Sequence, residues 1–323
     1  RLGCLEMIRT GTTFFNDMYW HVHGTARAAV DAGMRAVLAD AFIDRKDPDL
    51  AEEVRDRVER RIEEFERYPD RIAYALAPHA VYTVGEASLR WVAERAAETG
   101  LPIHIHLSET AGEVEACVAE HGERPVAYLD RLGVLGPRTI AAHAVHLDDD
   151  EIALLAERGV HAAHNPVSNL KLASGGPMRY RALKQAGVNV VIGTDGAGSN
   201  NNLDLFEEMK FAALMAKHAT GDTTALPAEE ALELALANAA RAFDLRAGVL
   251  EPGALADIVL IDLDDPFLFP GHDLAADLVY AAHGRPVRTT ICDGEVLMED
   301  GSIPDEAEIR REVTERWSRL VAG

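Results

Sequence analysis

The chain has 323 residues, 48% of them hydrophobic, enough for one large domain with an appendage or for two domains. Its net charge of -22 disfavours nucleic acid and anionic membranes as partners. Cys4, Cys117 and Cys292 are odd in number and far apart, as expected of reduced, buried thiols in a cytoplasmic protein, and no apolar run approaches a membrane span.

The chain opens at Arg1 inside what reads as a helix (Leu2, Leu5, Met7, Ile8), so an amino-terminal segment is expected to be absent. Residues 12–18 read as a strand and 23–33 as a helix ending at Gly33. Residues 35–43 are the next strand. Leu50, Val54, Val58, Ile62 and Phe65 then form one apolar stripe of a long helix that Pro69 stops. A strand at 71–77 leads into His79, and a helix over 86–99 ends at Gly100.

The alternation continues with a strand at 102–107, a helical stretch, and a strand at 139–147. A helix at 149–158, a strand at 160–164, a short helix at 180–186 and a strand at 188–194 follow. The last of these delivers Asp195, and helices at 204–218 and 227–242 come after it. Seven strand–helix units argue for a parallel α/β fold, one unit short of a closed (β/α)8 TIM-type barrel. No glycine-rich phosphate loop follows an early strand, which argues against an open dinucleotide-binding sheet.

The pattern changes after about residue 245. A strand lies within 253–262, a hairpin over 287–297 turns at Asp293-Gly294, and an acidic helix covers 305–321. These strands are too few to bury a core alone and need partners, expected in the absent amino-terminal part. The expected division is therefore 1–245, an incomplete barrel, and 246–323, a small β-layer with a closing helix. Ile258, Leu260 and Ile291 are expected to point inward.

Polar residues gather at the carboxyl ends of the strands: His79, His106 with Glu109, His143 with His146, His164 with Asn165, and Asp195. A barrel brings all such ends to one rim. Singly, each reads as a satisfied core or cap residue. Together they suit metal binding and proton transfer.

Four motifs carry a resemblance: His104-Ile-His-Leu-Ser-Glu109, Ala141-Ala-His-Ala-Val-His146, His164-Asn-Pro-Val-Ser-Asn-Leu-Lys-Leu172 and Gly193-Thr-Asp-Gly-Ala-Gly-Ser-Asn-Asn201. Over essentially the whole chain they resemble the amidohydrolase superfamily, on its aminohydrolase branch, and most of all its 5-methylthioadenosine/S-adenosylhomocysteine deaminases. The resemblance implies a divalent metal, zinc or another such as Fe2+ or Mn2+, held by His106, Asp195 and a first-strand His-x-His pair. It implies Glu109 as proton shuttle, with His143 and Asp195 orienting the attacking water. His79, Glu109 and Asp195 would contact a small nucleoside substrate, and His104 would support the site. Asn165 and Asn200–Asn202 would shape the rim or serve only as turn and cap residues.

Two departures stand out. The first-strand His-x-His pair is missing: His21-Val-His23 has the spacing but opens a helix in the second unit, so the pair is expected in the absent segment. The position expected to hold an arginine for an anionic substrate tail aligns with Asp40, which is expected to repel such a tail and so disfavour S-adenosylhomocysteine unless Arg45 reaches in. On this reading the chain is a metal-dependent deaminase of an adenosine-type nucleoside, a possible homo-oligomer, binding neither nucleic acid nor membrane. The alternatives are an aminohydrolase or chlorohydrolase acting on guanine, a pyrimidine or a triazine, and a catalytically inactive truncated barrel.

Overall fold

Helix α1 (Leu2–Arg9) turns Cys4, Leu5, Met7 and Ile8 inward in a computed structural model that describes residues 1–322. Strand β1 (Phe14–Tyr19), helix α2 (Val22–Asp31) and strand β2 (Arg35–Phe42) follow. All eight residues of β2 are buried, as a strand covered on both faces requires. Helix α3 (Pro48–Phe65) starts where the Asp47 carboxylate accepts from the Asp49 and Leu50 amides, with Pro48 in its first turn. Val54, Val58 and Phe65 are the buried part of its expected stripe.

The strand expected at 71–77 is two pieces, β3 (Ile72–Tyr74) and β4 (Ala77–Pro78). They keep one parallel register on β2, with Ala36 opposite Ile72 and Ala41 opposite Ala77. The interruption falls where Leu76 turns its backbone to the next strand. Its amide donates to Pro102 O, and its carbonyl accepts from the His104 amide, each at 2.9 Å.

Helix α4 (Glu86–Thr99) ends at Gly100, whose φ of +75° suits a residue without a Cβ. The chain continues through β5 (Ile103–Leu107), α5 (Ala111–His121), α6 (Pro125–Arg131), β6 (Thr139–His143) and α7 (Asp149–Arg158). Asp148 and Glu151 form a reciprocal capping box on α7. Then come β7 (His161–His164), α8 (Pro166–Lys171), α9 (Tyr180–Ala186), β8 (Asn189–Ile192), α10 (Leu205–Thr220), α11 (Ala228–Ala235) and α12 (Ala237–Ala242). Strand β6 is shorter than expected because His143 and Ala144 both take positive φ and end its ladder. Helix α8 was not expected from the sequence.

All these strands pair in parallel, and the Leu76–Ile103 bridge joins the two halves into one curved run of seven strand positions. This is the α/β architecture of a TIM-type barrel. Among the described residues β1 pairs only with β2, and β8 only with β7. Met18, Val37, Ala39, Ala41, Ala75 and Ala77 form a small cluster on one face of the sheet. Ala36, Leu38 and Phe42, of the opposite parity on β2, join the large core shared with the helices. Asp40 shares that helix-facing parity, and its Oδ2 accepts from Arg61 Nε of α3 at 2.9 Å.

Beyond residue 245 the strands β9 (Ile258–Ile261), β10 (Val287–Cys292) and β11 (Glu295–Met298) form a separate antiparallel sheet in the order β11-β10-β9. The hairpin turns at Asp293 and Gly294, both at positive φ, as a tight turn demands. Helix α13 (Leu274–Ala276) runs into a π-helical turn, Asp277–Ala281, and α14 (Glu306–Ala322) closes the chain.

The expected inward face of β9 is corrected. Val259 and Ile261 pack on the core, whereas Leu260 is 52% exposed. The phase is set by α1: Thr290 Oγ1 donates to Ile8 O at 2.8 Å, and the Val259 side chain sits over Gly11. The small sheet is thus covered by α1 and the turn after it. No helix among the described residues is long and apolar enough to cross a membrane.

Candidate active site

The carboxyl ends of β4, β5, β6, β7 and β8 carry His79, His106 with Glu109, His143, His164 and Asp195. The imidazoles of His79 and His106 lie 4.7 Å apart between centroids, and those of His106 and His143 lie 5.5 Å apart, nearly stacked. His106 Nδ1 sits 2.8 Å from His79 O, so it donates there and leaves Nε2 with a free lone pair.

His79 Nδ1 is 2.9 Å from Thr83 Oγ1, whose own hydrogen goes to Ala80 O. The imidazole is therefore the donor in that pair, and its Nε2 is left as an acceptor. That nitrogen faces the Tyr19 hydroxyl at 3.5 Å. Burial and the neighbouring His106 push His79 down to about 4, so it is neutral at pH 7.

Glu109 lies past the end of β5. Its Oε2 is 3.7 Å from His143 Nε2, and its Oε1 accepts from Ser174 Oγ at 3.1 Å. The backbone before it is anchored by the buried Glu113, whose carboxylate accepts from the Ser108 and Glu109 amides at 2.8 Å each. Burial pushes the Glu113 carboxyl up to about 7.

His143 is buried, and Asn169 Nδ2 stands 2.9 Å from its Nδ1. With that amide donating, the imidazole hydrogen is on Nε2, toward Glu109. Burial lowers the His143 pKa, and the Glu109 charge opposes the shift. Asp195 holds φ +58°. Its Oδ2 accepts from Ser168 Oγ and its Oδ1 from the Gly196 amide, both at 2.6 Å. The charges of Asp195 and Glu109 both act on His143 and on the Tyr19 phenol. The expected residues therefore converge on one place.

Other residues lie outside it. His23 Nε2 is 2.8 Å from Glu64 and its Nδ1 is 3.0 Å from Tyr68, which removes it as half of a metal pair. His146 Nε2 instead meets Ser174 O at 2.7 Å, steadying the serine that donates to Glu109. Asp40 faces Arg61 on the helix side of β2, so it cannot repel a substrate tail, and that expectation falls. Asn165 spans β7 and β8, its amide nitrogen donating to the carbonyls of His164 and Gly193 at 3.3 and 3.1 Å. Sequence reading missed Ser168, Asn169, Ser174 and Glu113. The first two lie inside the 164–172 motif, where Pro166 signals a helix start that would have put both in one first turn.

A nitrogen donor at His106 and a carboxylate at Asp195 suit a borderline divalent cation. The anchored Nδ1 of His106 is the usual way such a ligand is oriented. Among the described residues, no group of three or more His, Cys, Asp or Glu is placed to hold a metal ion. The fit is that of a partial ligand set.

The amidohydrolase family pattern matches residues 1–297. The 5'-deoxyadenosine deaminase of Methanoregula boonei is 50% identical over 322 residues, which cover 99% of this chain and 73% of that protein. The 5-methylthioadenosine/S-adenosylhomocysteine deaminase 1 of Archaeoglobus fulgidus is 48% identical over 308 residues, 95% of this chain and 72% of that protein. A crystal structure of an adenosine deaminase from Xanthomonas campestris with bound zinc superposes with a TM-score of 0.94 at 38% identity, covering 100% of this chain and 74% of that one. With its fold, its strand-end residues and these relatives in agreement, the chain belongs to the amidohydrolase family.

Proposed function

We propose that the protein hydrolytically deaminates an adenosine-type nucleoside, of the 5'-deoxyadenosine or 5-methylthioadenosine kind, and releases ammonia. The observation that supports it best is the facing of Glu109 and His143 at 3.7 Å, beside an Asp195 fixed by Ser168. His106 and Asp195 would hold a divalent ion together with further donors. Zinc is the ion in the Xanthomonas relative. Such an ion, when bound, supplies an acidified water at neutral pH.

The residues of this chain divide the remaining work. Asp195 accepts a proton from the attacking water. Glu109 takes the water's other proton and passes it to the ring nitrogen next to the carbon under attack, and the proton held by Asp195 goes to the departing amine. His143 Nε2–H is placed to donate to the oxygen that gains charge. His79 Nε2, an acceptor at pH 7, suits a ribose hydroxyl. Its three buried free thiols fit a reducing, cytoplasmic setting.

The test is ammonia release from adenosine, 5'-deoxyadenosine, 5-methylthioadenosine, S-adenosylhomocysteine, adenine, guanine and a chlorotriazine. A site that pairs with ribose hydroxyls should reject adenine strongly, because its own polar groups would be left unpaired. Activity confined to guanine or the triazine would overturn the nucleoside reading.

A further inference from the structure

We propose that Glu208 on α10 is a positioning residue that ties the Asp195 loop to the helix carrying Ser168 and Asn169. The inference rests on the reading of Asp195 and His143 as site residues.

Glu208 is fully buried. One carboxyl oxygen accepts from the Val167 amide, in the first turn of α8, at 3.2 Å. The other accepts from Asn200 Nδ2. Asn200 also donates to Thr194 O at 2.8 Å, one residue before Asp195. Two routes therefore leave one carboxylate and meet at the rim. The first runs through Asn200 to the backbone that presents Asp195. The second runs through Val167 to α8, where Ser168 donates to Asp195 and Asn169 stands against His143.

A buried carboxyl group is costly to place, and an apolar side chain of the same size would fill the volume without that cost. Burial is the main cause that pushes the Glu208 carboxyl up to about 8, and the charge of Asp195 adds to it. What Glu208 provides is two acceptors aimed in different directions. The loop it holds needs them. Asp195 and Asn201 sit at φ +58° and +102°, conformations that persist only where the surroundings over-determine them. Glu208 touches none of the reacting groups, so its effect passes through Asn200 and Val167.

The experiment compares Glu208→Leu and Glu208→Gln with Leu155→Ala, a fully buried change on α7 that lowers Tm without touching the rim. Two readouts are taken on the full-length protein: amide hydrogen exchange by mass spectrometry, and steady-state deamination. In Glu208→Leu, exchange should rise at both 166–172 and 194–203, and kcat should fall by about 10- to 100-fold with KM nearly unchanged. Glu208→Gln keeps one acceptor for Val167 and should recover part of the loss. Leu155→Ala should leave both segments protected and kcat within about twofold, at an equal or larger loss of Tm. Wild-type protection of either segment in Glu208→Leu overturns the proposal. So does a loss of kcat no larger than that of Leu155→Ala. A wild-type protein that deaminates no nucleoside would end the functional reading, while the exchange data would still judge the tie.

Discussion

Replacing Glu109 with Gln isolates proton transfer from shape. The amide is isosteric, so Oε1 can keep the Ser174 hydroxyl at 3.1 Å while the group facing His143 at 3.7 Å loses its charge. A charge pair at that separation is worth about 4 to 5 kcal/mol at an effective dielectric near 20. That attraction favours a protonated His143, so in Glu109→Gln the imidazole should titrate lower than in the wild type. The larger effect is on turnover. A positioned acid–base group contributes about 100- to 10,000-fold, or roughly 3 to 5 kcal/mol of barrier. Steady-state ammonia release should therefore show kcat down by at least about 100-fold, with KM within about threefold. Metal content by atomic absorption should match the wild type, because Glu109 is assigned no part in holding the ion. Turnover within about tenfold of normal would mean that another group moves the proton. Joint loss of metal and activity would make Glu109 a ligand instead.

Ser168→Ala removes the hydroxyl that donates to Asp195 at 2.6 Å, a charge-assisted bond worth about 1.5 to 3 kcal/mol. Zinc affinity in a chelator competition should drop by about 10- to 100-fold, and an unchanged affinity would count against Asp195 as a ligand. Asp40→Asn breaks the ion pair with Arg61 and should lower Tm, yet leave the preference between S-adenosylhomocysteine and 5-methylthioadenosine as it was. A changed preference would bring Asp40 back into the site. Burial pushes His164 down to about 3, below its ordinary 6.5, so between those values the folded state binds fewer protons than the unfolded chain. Stability then rises with pH across that window and is lost on acidification, by about 3 kcal/mol at pH 4.5 for this one group. His164→Asn should flatten the acid limb of a Tm–pH curve, and an identical limb would show that other groups carry it.

The barrel architecture was legible because each strand is a short apolar run closed by a helix signal, and those signals are local. Helices α4, α7 and α9 fall where their glycine stops and periodicity put them. The strand-end placement of His106, Glu109, His143 and Asp195 was legible for the same reason: each follows an apolar run at its carboxyl end. What escaped was parity and long-range pairing. The phase of β9 depends on α1, nearly 250 residues earlier, and the run Ile258-Val-Leu-Ile261 is apolar on both faces, so it gives no sign of which is inward. Asp40 was misjudged likewise, since a fully buried β2 carries no alternation to reveal that it points at Arg61. Glu113 and Glu208 read as ordinary helix-surface acids until their helices are packed.

The strand ends that carry the proposed site residues share one backbone device that the sequence conceals. Ser108, His143 and Asp195 all hold positive φ, at 49°, 75° and 58°, although none is glycine. Each such residue costs about 1 to 3 kcal/mol where it stands. Each also has a polar anchor on a helix: Glu113 on α5 for the turn at Ser108, Asn169 on α8 for His143, and Ser168 on α8 for Asp195. The strand ends are thereby turned inward and fixed before any substrate arrives. Catalysis by positioned acids and bases needs that order, because a misplacement of about 1 Å costs roughly 100-fold in rate. Glycine at Ser108 would relieve the local strain, yet it would also let Glu109 wander. The strained serine with its buried carboxylate anchor is therefore better suited to a fixed proton shuttle than the relaxed alternative.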